Sequence, residues 1–278
     1  RGAVGIGSRR VIPVVFVPGT MGTNLRVRRD VPLPDEHPLD PGDAAWRPPS
    51  GDIAAWQYAD TWEERTPAMR QMILHPDLVE TDDGGELDIG ACSLHPDEMR
   101  ARGWGQIFNG AYGNLLYELQ NHLDMTFRRD ALGRRQVREH WKAVMQAMRG
   151  DTLARWGVRT VAPLTEGELE RFAGFQYPVY CFGYNWLRSC GEAAQQLQRR
   201  IEEIVAWWQA RRHGCRQVIL ITHSMGGLVA RACAKRPSSE KRAAKRDSAE
   251  DLVRRRFSAD GPNMAWFADI ACVKTRQG

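Results

Sequence analysis

Apolar residues gather into short unbroken runs near the two ends of the chain and scatter between them. The first run, Val11-Ile12-Pro13-Val14-Val15-Phe16-Val17, contains no polar side chain. A strand apolar on both sides is covered on both faces, as in a parallel sheet. Pro13 has no N–H for a ladder and predicts an early or edge position for it. Pro178-Val179-Tyr180-Cys181-Phe182-Gly183 predicts a second strand, and Gln217-Val218-Ile219-Leu220-Ile221 a third. Between these two the period lengthens. Ala193, Leu197, Ile201, Ile204, Val205 and Trp208 recur three or four apart and mark one face of a helix. Ser189 is its predicted N-cap, with Glu192 as a capping-box partner. The helix is expected to reach about Arg212 and to end at Gly214. After the third strand, Leu228 to Cys233 reads as a helix with an apolar face.

Residues 26–175 lack this regularity. Residues 31–50 are rich in proline and aspartate and are expected to be irregular. Residues 106–123 predict a helix with Ile107, Leu115, Leu116 and Leu119 on one side. Residues 140–149 predict another, and 167–172 a short helix or turn. Trp46, Trp56, Tyr58, Trp62 and Trp104 bring large aromatics into the zone. No repeat or linker divides it, so it reads as one insertion, residues 26–175, within a single domain 1–278. Strand, insertion, strand, helix, strand, turn and helix describe an α/β fold with a mostly parallel, doubly wound sheet.

Composition narrows the class. The chain has 278 residues, room for one large domain with an insertion. No apolar run approaches the roughly 18 residues of a membrane span. The net charge is +5, and all but five of the 39 basic residues are arginine, a bias of GC-rich bacterial coding. The basic residues crowd toward the C-terminus at Lys235-Arg236, Lys241-Arg242, Lys245-Arg246 and Arg254-Arg255-Arg256. They have no interleaved aromatics, so a solvated face is expected rather than a nucleic-acid site. The six cysteines form no C-x-x-C pair, which argues against a structural zinc site. Cys181, Cys215 and Cys233 border apolar runs and are expected to be buried thiols.

The chemistry sits at Thr222-His223-Ser224-Met225-Gly226-Gly227, between the third strand and a helix. A serine on a tight strand-to-helix turn is a nucleophile elbow. The turn needs a small residue beside it, which Gly226 supplies. It lifts the Ser224 hydroxyl out of the sheet and leaves the Met225 N–H to meet an oxyanion. The first strand ends in Pro18-Gly19-Thr20-Met21-Gly22-Thr23-Asn24-Leu25, a glycine-rich loop expected over the same end of the sheet. Its N–H at Thr20 or Met21 is the second candidate donor. Gly19, Gly22, His223 and Gly226 are the expected supports of the elbow and loop.

These segments resemble lipase-type α/β hydrolases, in particular the lecithin:cholesterol acyltransferase-like and PGAP1-like branch. The resemblance rests on Phe16 to Leu25, on Gly183-Tyr184-Asn185-Trp186-Leu187-Arg188 with the helix after it, and on His223 to Gly226. The branch carries Asp where this chain has Asn185. The resemblance implies ester hydrolysis or acyl transfer on lipids through a Ser224 acyl-enzyme, with the N–H groups of Thr20 and Met225 as oxyanion hole. It also implies a cap or lid over residues 26–175 whose aromatics line an acyl-chain site, contact with a membrane surface, no cofactor and no metal. Some bacterial lipase effectors resemble this branch, which leaves the compartment open between cytoplasm and export.

In this fold the triad acid and histidine follow the serine. Asp247, Glu250, Asp251, Asp260 and Asp269 do follow it, but no histidine does. His37, His75, His95, His122, His140 and His213 lie upstream, where surface or cap positions are expected. His223 adjoins Ser224, and neighbouring side chains on a tight turn diverge. Residues 237–256 are polar, basic and alanine-rich, a solvated helix or disorder where parallel strands should follow. Residues 264–273 are the only further apolar segment. The sequence therefore predicts the nucleophile half of a hydrolase, truncated or frame-shifted, without its base. The alternative is a non-catalytic chain that keeps the elbow as a lipid- or partner-binding module.

Overall fold

The computed structural model describes residues 10–87, 92, 94–147 and 164–235, together with the backbone of 270–274. The strands, in chain order, are β1 Arg10–Val11, β2 Val14–Val17, β3 Leu25–Val27, β4 Ala44–Trp46, β5 Val79–Thr81, β6 Phe127–Arg129, β7 Arg135–Val137, β8 Phe175–Gln176, β9 Val179–Cys181, β10 Gln217–Thr222 and β11 Ile270–Lys274. The central sheet has the order β11-β10-β2-β9. β2 lies parallel to both β10 and β9, with Leu220 opposite Val15 and Phe16 opposite Cys181. This is the mostly parallel α/β sheet that the unbroken apolar runs predict.

Both faces of the sheet are covered, which is why β2 has no polar side. Val15 and Val17 point into a cluster with Val218 and Leu220 of β10 and with Leu197, Ile201 and Ile204 of the helix Cys190–Ala210. Val14 and Phe16 point the other way, against Trp104, Ile107, Leu116 and Val179. Fully burying side chains of this size contributes about 1.5–3 kcal/mol each.

Pro13 is no mark of an edge. β2 is central, and Pro13 precedes its first residue, where its carbonyl accepts from the Ile219 N–H at 2.9 Å. The missing N–H therefore falls outside the ladder. The helix expected over 106–123 begins later. A 3-10 turn spans Trp104–Gln106, Ile107 is extended, and the helix runs Asn109–Leu123. Leu116 is buried and Leu115 exposed, so the apolar stripe is narrower than expected. Helices at Glu139–Ala147 and Glu166–Phe172 agree with expectation, the latter closed by a Thr165/Glu168 capping box. Within the irregular stretch, β4 pairs with β3, which pairs with β5.

Ser189 does cap the long helix, accepting from the Glu192 N–H at 3.2 Å. The reciprocal half of the box is replaced, because the Glu192 carboxylate turns to Arg188 at 3.2 Å. The helix ends at Ala210, and the left-handed residue after it is Arg212, at φ 61°, rather than Gly214. Gly214 instead bridges to Arg10. From the apolar segment 264–273, β11 pairs with β10 antiparallel, Gln217 opposite Lys274, where a parallel strand was expected. The candidate acids Asp247, Glu250, Asp251, Asp260 and Asp269 and the basic residues from Arg236 to Arg256 lie outside the described residues. Among the described residues no helix is long and apolar enough to cross a membrane.

Candidate active site

β10 ends at Thr222, and the helix Met225–Ala234 starts three residues later. The reversal falls on Ser224, at φ 51° and ψ −124°, a conformation that L-residues avoid. Ser224 is exposed while Thr222 and Gly226 are buried, so the turn lifts the hydroxyl above the sheet. The small residue at 226 has a measurable reason. A Cβ there would lie 2.4 Å from the Val17 carbonyl oxygen and 2.6 Å from that of Pro18. The helix can start this close to β2 only because residue 226 has no side chain.

The loop after β2 stands directly against the elbow. A Cβ on Gly19 would fall 2.9 Å from Ser224 Cβ and 3.0 Å from His223 Nδ1. The Gly22 N–H donates to the Gly19 carbonyl at 3.1 Å, and Met21, third in that turn, sits at φ 61°. These are the marks of a type II turn with Thr20 at its first central position. The Thr20 hydroxyl donates to Met225 Sδ at 3.6 Å. The structure thus brings Thr20, Met225 and Ser224 to one place, with Gly19 and Gly226 closing the gap between loop and elbow. Gly22 supports the loop from beneath, since a Cβ there would meet the Tyr112 ring at 2.8 Å.

The His223 imidazole meets Tyr112. Its Nδ1 lies 2.8 Å from Tyr112 Oη, and the backbone N–H of His223 donates to the Val17 carbonyl. Among the described residues no imidazole bonds to the Ser224 hydroxyl. The upstream histidines sit elsewhere. His122 lies against His140 at a 4.3 Å ring separation, the rings tilted by 39°, and bonds to Glu118. Burial and the neighbouring His122 charge hold the His140 imidazole below its ordinary value. His95 caps the helix Pro96–Ala101.

Asn185, where the resembling branch has Asp, has a local explanation. Its amide donates to the carbonyls of Pro76 and Val79 at 2.9 and 3.0 Å, while its Oδ1 accepts from the Leu187 N–H. A carboxylate could make only the last of these bonds. Next to it, Tyr184 Oη donates to the Pro18 carbonyl at 2.9 Å, and Trp186 Nε1 to the Thr23 carbonyl. The segment before the long helix therefore braces both ends of the Ser224-facing loop.

The cap aromatics divide. Trp104 belongs to the core under the sheet, its Nε1 bonded to the Val179 carbonyl, and it lines no cap surface. Trp46, Tyr58, Trp62 and Trp186 form one cluster with ring separations of 5.4–6.3 Å. Trp56 is 73% exposed. Two clefts of about 340 and 330 Å3 open beside Thr81, the first lined by Arg100, Gln106 and Arg200, the second by Arg26, Asn185 and Arg188. Neither is lined by the elbow. Cys181, Cys215 and Cys233 are buried, and burial raises the Cys215 thiol to about 11. Among the described residues no cluster of three or more His, Cys, Asp or Glu could hold a metal ion.

Parallel sheet, strained serine and adjoining loop define an α/β-hydrolase-type fold, and the comparisons with known proteins find similarity to proteins of that fold type. The PGAP1-like alpha/beta domain family matches residues 187–246, from the start of the long helix through β10 and the elbow. Over 84% of its length the chain is similar to a chain in the crystal structure of the Tle4-Tli4 complex, at 33% identity and a TM-score of 0.66. It spans 44% of that chain. No curated protein matches it.

Sequence reasoning singled out Ser224 and the loop from glycine spacing beside an apolar strand. It missed Tyr112 and the bond of Trp46, whose Nε1 donates to the Met21 carbonyl at 2.8 Å. Both partners lie far away in sequence, and nothing near Tyr112 in the chain marks it out.

Proposed function

We propose that the chain is a serine carboxylic-ester hydrolase acting on lipid esters. The observation that carries this reading is the Ser224 backbone at φ 51° and ψ −124°, with the Gly19 loop packed against it. Strain of this kind costs about 1–3 kcal/mol and persists where the surroundings enforce it. Ser224 Oγ attacks the ester carbonyl carbon, and the carbonyl oxygen takes up the negative charge. The N–H groups of Thr20 and Met225 receive that oxyanion. The carbon–oxygen ester bond breaks and the alcohol leaves with the proton that Ser224 gives up, and water or a second alcohol then takes the acyl group and returns a proton to Ser224. One such donor is typically worth about 3–4 kcal/mol of barrier. The reading assigns this chain the nucleophile and the oxyanion donors. It assigns no base, because the His223 imidazole is engaged with Tyr112.

A fluorophosphonate probe tests it. Covalent labelling of the purified chain at Ser224, lost in Ser224→Ala, is the expected result. Hydrolysis of short and long acyl p-nitrophenyl esters by the same preparation measures turnover and chain-length preference. No labelling of the folded chain overturns the reading.

The second reading is a module that binds a protein partner and does no chemistry. Two observations favour it: the engaged His223, and a matched structure that is itself a complex with a second protein, Tli4.

A further inference from the structure

We propose that the cap region sets the oxyanion loop through two side chains, Tyr112 and Trp46, which act as positioning residues for the Thr20 N–H. The inference rests on the hydrolase reading of Ser224. Tyr112 stands on the helix Asn109–Leu123, and Trp46 on β4. Neither element belongs to the central sheet, and more than sixty residues separate them in the chain.

Each binds a main-chain group of one of the two residues beside Thr20. The Gly19 N–H donates to Tyr112 Oη at 3.4 Å. The Met21 carbonyl accepts from Trp46 Nε1 at 2.8 Å. The Thr20 N–H lies between these two tied groups, inside a turn whose geometry depends on Met21 at φ 61°. A non-glycine residue at positive φ is held only when its neighbours over-determine it. Without the Trp46 bond, the Met21 carbonyl has one fewer reason to keep the turn type that presents Thr20 toward Ser224.

Tyr112 also fixes the loop against the elbow. Its oxygen accepts from Gly19 and shares a hydrogen bond with His223 Nδ1 at 2.8 Å, in which the phenol donates when the imidazole proton sits on Nε2. An imidazole that accepts at Nδ1 carries its proton on Nε2. Gly19 and His223 are thereby joined by one phenol, on either side of the gap in which Gly19 would touch Ser224 if it had a Cβ. The phenol ring packs against Phe16 at 4.9 Å, which keeps it in place when the hydroxyl is removed. Burial pushes its pKa above the ordinary tyrosine value, so the hydroxyl stays a donor through the neutral range.

The test uses fluorophosphonate labelling of the full chain, resolved into the labelling rate constant and the probe binding constant. Tyr112→Phe and Trp46→Phe each keep an aromatic ring and lose one hydrogen bond. Each is expected to lower the rate constant about tenfold, the worth of one hydrogen bond of orientation, with little change in probe binding. A thermal midpoint close to the parent's separates this from unfolding. Unchanged rate constants in both variants, with Ser224 labelled as in the parent, overturn the positioning role and leave the hydrolase reading standing. If the parent is not labelled, the hydrolase reading fails, and the positioning role fails with it. Imidazole 15N shifts then decide the phenol contact on its own. The His223 signal should show the Nε2-protonated tautomer in the parent and move in Tyr112→Phe, and an unmoved signal removes the contact as well.

Discussion

A serine forced to φ 51° would be more comfortable as glycine, which adopts such angles freely. Alanine at the same position keeps the strain and loses only the hydroxyl. Ser224→Gly is therefore expected to be more stable than Ser224→Ala by about 1 kcal/mol, the relieved strain less the extra freedom of glycine in the unfolded chain. Urea denaturation of the pair measures it, and equal midpoints would show a relaxed backbone at this position. Legibility at this scale was uneven. Ser224, Gly19 and Gly226 were visible because steric demand leaves a residue type behind, and only glycine fits where a Cβ would lie 2.4 Å from a carbonyl oxygen. Tyr112 left no such mark. A hydrogen bond to a residue 111 positions away imposes no local pattern on the sequence around it.

Among the elements, the three parallel strands were plain from the sequence because both of their faces are buried, so polarity cannot interrupt them. The ends of helices were less plain. Capping depends on where a side chain turns, and Glu192 had an arginine within reach that the spacing rule ignores. The Asn185 segment shows how a single polar residue can tie one element to another. Its amide holds the carbonyls of Pro76 and Val79 beside β5. In Asn185→Asp those two acceptors would face a carboxylate, which has no proton to give. The Pro76 carbonyl keeps its bond from Arg188 Nε at 3.1 Å, so the expected cost is about 1–2 kcal/mol at neutral pH, the penalty of a part-buried carbonyl of Val79 that loses this donor. It should shrink on acidification, as the carboxyl regains a proton to donate. Thermal midpoints at two pH values check both the size and the trend, and a loss independent of pH would contradict the account.

Across the whole molecule, many polar ties join the insertion to the rest of the domain, and Asp124 makes one of them. It ends the helix Asn109–Leu123 and accepts from the Tyr177 N–H at 2.7 Å, just before β9. Burial raises its pKa above the ordinary carboxylate value, against the smaller opposing effects of that N–H and of Arg102. The folded chain therefore binds a proton at Asp124 more tightly than the unfolded chain does. Stability from this group falls as pH rises from the ordinary carboxylate range through the raised folded value, and stays lower above it. Asp124→Asn keeps the acceptor and removes the titration. The variant should match the parent at low pH and exceed it at neutral pH in calorimetry, whereas a parent that gains on the variant as pH rises would reverse the sign. The fold class was legible at this scale because the order of buried strands and helices constrains the layers. The antiparallel seat of β11 was not, since an apolar run carries no sign of its direction.

The cluster of Trp46, Tyr58, Trp62 and Trp186 also has an optical consequence. Indole rings 5.4 and 6.1 Å apart share excitation, and the shared transition is sensitive to their mutual angle. One of those rings holds the Met21 carbonyl of the loop over Ser224. Near-ultraviolet circular dichroism therefore reports the seating of that loop without any added label. The chain carries a spectroscopic gauge beside Ser224.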